Sequence, residues 1–374
     1  MERDVQKIPE EDGGVRADDG GSDVDAESLV QEGRHDPLSG GRERDEDGEG
    51  VLQELDLMAL NPRLRAKLER QAEQGRAMSR EQREGLAKLL PDGAVRFDEP
   101  SSAHSVAAVG GPAEAFVRTE DLGQLKAVME WAVEHGVEYR FWGRGSATLV
   151  REGGIPGLLI ELGCGFAGAS VERSSSEESF VSVGSAELAA DLARWCAGRK
   201  LAGASGFMRF AGTVGGALCS QKGCGEGDFV DSIEELTILN KEGRELTLRK
   251  SALRFEEGRL KIPRTAAVVK VLVRLTPSAE ARAQVGERED TGPRFTRVFG
   301  SPCKTAAAIM IDEAGLTGVR VGGARVASDD AGAIVNEGNA TARDITVLMS
   351  LVRDQVKQST GVALTTLTEV VGER

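Results

Sequence analysis

The sequence predicts an α/β protein, and three observations point there. From Val106 onward, strand-like and helix-like stretches follow the order strand, helix, strand, loop, strand. Two loops of small residues, Gly143 to Ser146 and Gly212 to Gly216, interrupt that order. The chain then closes on an amphipathic helix and a short strand.

Length and charge set the outer limits. At 374 residues and 40% hydrophobic, the chain has material for two or three domains, each with a core. Residues 1–50 carry 17 Asp/Glu against 6 Lys/Arg and no aromatic residue, a composition expected to be disordered. Neither this acidic start nor the rest of the chain has the basic stripe that nucleic acid or an anionic membrane requires. No run of about 18 apolar residues is present, and the N-terminus lacks a signal-peptide core, so a cytoplasmic protein is expected. Five cysteines without a Cys-x-x-Cys pair, and only three histidines, argue against a zinc site.

Taken in order, residues 51–93 read as a helical extension, a candidate docking module for a protein partner. Asn61-Pro62 marks a helix start with Leu64, Leu68 and Ala72 on one face, and Ser79-Arg80-Glu81-Gln82 resembles a capping box. Pro91-Asp92-Gly93 stops that second helix, and residues 94–278 form the main body. There Gly110-Gly111-Pro112-Ala113 reads as a turn between two short strands within Val106 to Val117. Thr119 to His135 has helical spacing at Leu122, Leu125, Met129 and Ala132. Tyr139 to Leu162 is strand, tight loop, strand. Ser182 to Lys200 adds a strand and a helix, Val230 to Leu248 a hairpin turning at Asn240 to Gly243, and Ala266 to Leu275 a buried strand. In the last section, residues 279–374, Thr341 caps a helix with Ile345, Leu348, Val352 and Val356 on one face, ending near Gly361.

The two loops carry the candidate chemistry. Gly143 and Gly145 let the backbone approach a ligand, and their amides with the Ser146 hydroxyl can donate to phosphate oxygens, although an ordinary hairpin turn has the same look. A second small-residue loop, Gly212-Thr213-Val214-Gly215-Gly216, is expected at another strand end. Together the loops suit a dinucleotide whose pyrophosphate is gripped from two sides. Neither is a Gly-x-Gly-x-x-Gly or Walker string, which disfavours Rossmann and kinase readings.

Several strings then resemble one family in the right order. Gly110 to Ala113 (GGPA), Gly143 to Val150 (GRGSATLV) and Gly212 to Ala217 (GTVGGA) are similar to the turn and two flavin loops of UDP-N-acetylenolpyruvoylglucosamine reductases. Gly300 to Lys304 (GSPCK), Ile311 to Ala324 (IDEAGLTGVRVGGA), Ile334 to Asp344 (IVNEGNATARD) and Leu367 to Val370 (LTEV) continue the match. The resemblance implies a two-part FAD-binding domain of the PCMH/vanillyl-alcohol-oxidase type, followed by a small C-terminal α/β substrate domain. It implies FAD as cofactor, NADPH as hydride donor and a UDP-sugar substrate reduced in peptidoglycan precursor synthesis. Carried over residue by residue, it places flavin contacts at Gly143, Arg144, Gly145, Ser146 and Ala147, and at Gly212, Thr213, Val214, Gly215 and Gly216. Ser301 becomes the proton donor, Glu369 an intermediate-stabilising group, and Arg259 and Lys304 anion partners.

The departures cluster on flavin contacts. Ala147 replaces an asparagine, Phe210-Ala211 replaces Ile-Pro, and Gln221 to Gly225 replaces a string holding an asparagine and a tyrosine. Arg259 is the substitute for a tyrosine-arginine pair, one position out of register, and Asp330 stands where a histidine is usual. Two readings stay open: an active reductase, and a divergent paralogue serving as a binding or scaffold protein.

Overall fold

The computed structural model describes residues 77–220, 229–256, 259–282, 292–303 and 305–373. The acidic start, the helix expected after Pro62, and Lys304 lie outside the described residues.

The first lobe opens on α1 (Arg80–Leu89), where the Ser79 hydroxyl accepts from the Gln82 amide and the Gln82 side chain accepts from Ser79. This is the reciprocal cap legible in the sequence. Leu86 of α1 is fully buried in one core with Leu125, Met129 and Ile160, so the expected boundary at residue 93 does not separate this helix from the lobe. Burial of one such leucine is worth about 2 kcal/mol.

Strands β1 (Val95–Pro100) and β2 (Pro112–Thr119) pair antiparallel, helix α2 (Leu122–Glu134) starts on an Asp121 cap, and β3 (Tyr139–Trp142), β4 (Thr148–Val150) and β5 (Ile155–Leu162) follow. The sheet order is β1-β2-β5-β3, with β5 parallel to both neighbours. A central parallel strand is covered on both faces, which is why Leu158, Leu159 and Ile160 form an unbroken apolar run. α2 packs on one face. Phe116, Trp142 and Leu159 fill the other, together with Val371 from the chain's end.

One expected strand is absent. The strand before the Gly110-Gly111 turn is β1, and Val106 to Val109 is irregular. Ala107 and Val109 are apolar because they are buried against the C-terminal core beside Phe295, not because they join a ladder.

The second lobe contains β6 (Ala169–Ser174), β7 (Ser179–Gly184), α3 (Ala189–Gly198), β8 (Leu201–Ala202), α4 (Val214–Cys219) and α5 (Phe229–Ser232). β9 (Ile233–Leu239), β10 (Glu245–Arg249), β11 (Phe255–Glu256), β12 (Arg259–Leu260) and β13 (Ala267–Pro277) complete it. The order β10-β9-β13-β7-β6 is antiparallel throughout, with β13 central, as its inward Val271, Val273 and Leu275 require. The second small-residue loop does not end a strand as expected. It follows a 3-10 turn, Ser205–Arg209, and its Thr213 caps α4.

The C-terminal part holds β14 (Arg294–Phe295), β15 (Phe299–Gly300), α6 (Ala307–Glu313), β16 (Arg320–Val321), β17 (Ala324–Val326), β18 (Ile334–Asn336) and α7 (Ala342–Thr360). Its sheet runs β14-β18-β17-β16. α7 has the expected cap at Thr341, the expected buried face, and a left-handed Gly361 (φ 76°) at its end. Past it, β19 (Thr365–Thr366) pairs with β15, and β20 (Glu369–Val371) crosses to the first lobe and pairs parallel with β4. Asn336 fastens the same junction: its Nδ2 donates to the carbonyls of Ala107 (3.0 Å) and Ala108 (3.3 Å).

Candidate active site

Both small-residue loops, Arg259 and Glu369 line a single cavity of about 430 Å³. The loops reach it by different means. In the first, Arg144 and Gly145 are left-handed (φ 65° and 60°), and among the described residues no backbone carbonyl accepts from their amides. A Cβ on Gly145 would fall 2.5 Å from Cζ2 of Trp142, whose own Nε1 is tied to the His104 carbonyl at 2.9 Å. Only glycine fits that place.

The second loop turns its amides inward. Val214 donates to the Glu187 carbonyl and Gly215 to that of Ser185, each at 2.8 Å, and Gly216 donates to the Thr213 hydroxyl at 3.1 Å. These donors are spent on the fold, so this loop serves as a close-fitting wall. Its glycines allow the loops to meet: a Cβ on Gly143 would lie 2.8 Å from Thr213 Oγ1, and one on Gly212 2.5 Å from Ser146 Oγ.

Ser185 and Ser220 also belong to the cavity's lining, and among the described residues their hydroxyl oxygens are buried without a hydrogen-bond partner, a cost the fold carries. Cys219 also lines it. Burial pushes that thiol up to about 11, against the opposing charge of Arg259, so it is a neutral wall group near pH 7. At the rim, Cys164 donates to Glu120 Oε2 (3.1 Å), and that hydrogen bond holds its thiol above the ordinary range.

Glu369 begins β20, opposite Thr148, and its amide donates to the Ala147 carbonyl at 2.9 Å. Its Oε1 receives Arg264 Nη1 at 2.8 Å and lies 3.6 Å from Arg140 Nη1. Arg140 comes from the first lobe, Arg264 from the second, and Glu369 from the C-terminus. Sequence reasoning missed both arginines, along with Ser185, Ser220 and Cys219.

Ser301 stands apart, outside the cavity's lining. It follows Gly300, which faces Thr365, whereas Glu369 lies four residues beyond that partner. Its Oγ accepts the Cys303 amide at 3.2 Å and lies 3.1 Å from Cys303 Sγ. The contact with the Ser301 hydroxyl, followed by a backbone hydrogen bond at Thr305, lowers the Cys303 thiol below its usual value. Among the described residues, no group of three or more His, Cys, Asp or Glu could hold a metal, and no helix is long and apolar enough to cross a membrane.

The two lobes meet at a cavity lined by small residues, and residues 113–249 match the FAD binding domain family, which makes the chain a flavoprotein by class. Residues 288–371 match the C-terminal domain of UDP-N-acetylenolpyruvoylglucosamine reductase. The chain is 32% identical to the reductase of that name from Syntrophobacter fumaroxidans over 286 residues, covering 74% of this chain and 83% of the relative. It is 32% identical to the one from Geobacter metallireducens over 293 residues, covering 75% and 95%. The chain therefore belongs to the UDP-N-acetylenolpyruvoylglucosamine reductase family. In fold it is similar to the crystal structure of that reductase from Thermus caldophilus, with a TM-score of 0.60 at 24% identity, over 74% of this chain and 97% of that one.

Proposed function

We propose that this chain reduces UDP-N-acetylenolpyruvoylglucosamine to UDP-N-acetylmuramate in peptidoglycan precursor synthesis, as a cytoplasmic enzyme with FAD as resident cofactor and NADPH as hydride donor. The observation that carries the reading is the convergence of both small-residue loops and Glu369 on one cavity, in a member of this family. When bound, FAD supplies the hydride relay from NADPH to the enolpyruvyl carbon.

The chain's own residues do the rest. The amides of Arg144 and Gly145, with Ser146 and the adjoining Ala147, cradle the pyrophosphate. Thr213, Gly215 and Gly216 form the opposite wall, with Gly212 and Val214 outside the lining and holding the turn behind it. Hydride addition to the enol ether builds negative charge on the carbon beside the substrate carboxylate, and that carbon must then be protonated. Arg259 on the cavity wall, with Lys304, is an anion partner for the UDP sugar. Ser301 lies outside the cavity's lining, and its role as proton donor in this reading is supported by the family resemblance; the Cys303 amide on its Oγ would stabilise the oxygen as the proton leaves.

The test is anaerobic NADPH consumption with and without the enolpyruvyl sugar. Consumption that requires the sugar and yields UDP-N-acetylmuramate supports the reading. No dependence on the sugar overturns it.

A further inference from the structure

Arg144 adopts a conformation that its residue type avoids. Its backbone is left-handed (φ 65°), a region that glycine enters freely and that a residue with a Cβ enters at a cost. Five non-glycine residues among those described share this feature, and of them Arg144 alone lines the cavity. The conformation is held in place. The Arg144 carbonyl accepts from the Val106 amide at 2.9 Å, and the Val106 carbonyl accepts in turn from the Arg294 amide at 3.2 Å. Glycine would make the same backbone bond without the strain, so the fold alone gives no reason for a side chain here. Strained backbone of this kind collects at ligand sites.

Charge is the second observation. Five arginines line the cavity. Arg118 is engaged by Glu120 and Glu161, and Arg140 and Arg264 both reach Glu369. Among the described residues no carboxylate pairs with Arg259 or Arg144. Arg259 belongs to the second lobe, where its charge acts on Cys219. Arg144 is exposed on the first small-residue loop, next to the two amides that no backbone carbonyl takes up.

We infer that the Arg144 side chain is a further binding residue for FAD, its guanidinium pairing with the cofactor's diphosphate alongside the loop amides, and that the left-handed strain is retained for this contact. The inference rests on FAD occupying this cavity, and not on which sugar is reduced. A diphosphate diester carries two negative charges, and a planar guanidinium offers phosphate oxygens two parallel donors. The side chain is exposed, so the contact is moderate in strength and weakened by salt.

The experiment measures the FAD dissociation constant of the full-length protein, after removal of bound flavin, by quenching of flavin fluorescence at about 50 mM and about 500 mM NaCl. Arg144→Gln keeps a Cβ at the left-handed position and removes the charge, whereas Arg144→Gly removes both. Each is expected to bind FAD about tenfold more weakly at the low salt concentration and about threefold more weakly at the high one, where screening has already weakened the unmodified protein. Arg144→Lys should recover about threefold of the low-salt loss, since it restores the charge without the planar fork. Flavin-free Arg144→Gly should melt no lower than the unmodified protein, because the strain is relieved while the bond from Val106 is kept.

If Arg144→Gln and Arg144→Gly bind FAD as tightly as the unmodified protein, the inference fails. A loss of equal size at both salt concentrations also overturns it. So does a fall of more than about 3 °C in the Tm of flavin-free Arg144→Gly, which would make the side chain a support of the loop rather than a partner of the cofactor. An unmodified protein that takes up no FAD overturns the reading of the cavity itself, and this inference falls with it.

Discussion

Asn336→Ala strikes the junction between the C-terminal part and the first lobe. The side chain is 7% exposed and makes four hydrogen bonds. Nδ2 donates to Ala107 (3.0 Å) and Ala108 (3.3 Å), and Oδ1 accepts from Gly338 (2.8 Å) and Ala340 (3.0 Å). Each is worth about 1 kcal/mol net, and the groups left behind include backbone that water reaches poorly, so the loss is roughly 4 kcal/mol. Ala108 adds to the sensitivity, since its left-handed backbone (φ 50°) is held by one of these bonds. For a chain of this size that loss is a fall of roughly 8 °C in Tm, read by differential scanning calorimetry. Asn336→Asp keeps the acceptor but turns a carboxylate toward two carbonyls, and should be no more stable than the alanine variant. A loss under about 1 kcal/mol for Asn336→Ala would show that the junction does not depend on this residue.

Three further outcomes are expected. Gly145→Val places a branched side chain on a left-handed residue against Trp142 and should leave less than about a tenth of the flavin bound, read from the visible absorbance of the purified protein. Ser301→Ala should leave flavin reduction by NADPH nearly intact and slow reoxidation by the sugar more than about a hundredfold; equal slowing of both half-reactions removes Ser301 from the mechanism. Cys303 and Cys164 are both exposed, but the Ser301 hydroxyl lowers the first thiol and the Glu120 carboxylate raises the second. As pH rises toward the ordinary thiol value of about 8.5, the Cys303 thiolate forms first, so peptide mapping after limited alkylation should find Cys303 modified before Cys164. The reverse order would mean the Ser301 contact is absent in solution.

What the sequence shows depends on how local the cause is. α1, α2 and α7 are legible because cap and apolar face lie within one stretch, as Ser79 with Gln82 and Thr341 with Asp344 demonstrate. β5 is legible because its central place in the sheet makes the run uniformly apolar. Val106 to Val109 misleads because its apolar residues answer to Phe295 and Asn336, far along the chain. The loops are legible as small-residue strings, but not the difference between them. Whether an amide faces the cavity or a carbonyl depends on Ser185 and Glu187, which lie in another segment. Arg140 and Arg264 carry no local mark, and their meaning arises only when β20 pairs with β4 and delivers Glu369 between them. Two of the departures from the family strings, Ala147 and Arg259, line this same cavity.

The proposed function requires the cavity between the two small-residue loops to hold FAD and use it on the enolpyruvyl sugar. The most direct measurement is the visible spectrum of the purified full-length chain, with the flavin released on denaturation identified by chromatography. The expected result is an oxidised-flavin spectrum from FAD near one per chain, bleached anaerobically by NADPH and restored by UDP-N-acetylenolpyruvoylglucosamine. A colourless protein that takes up no added FAD would contradict it.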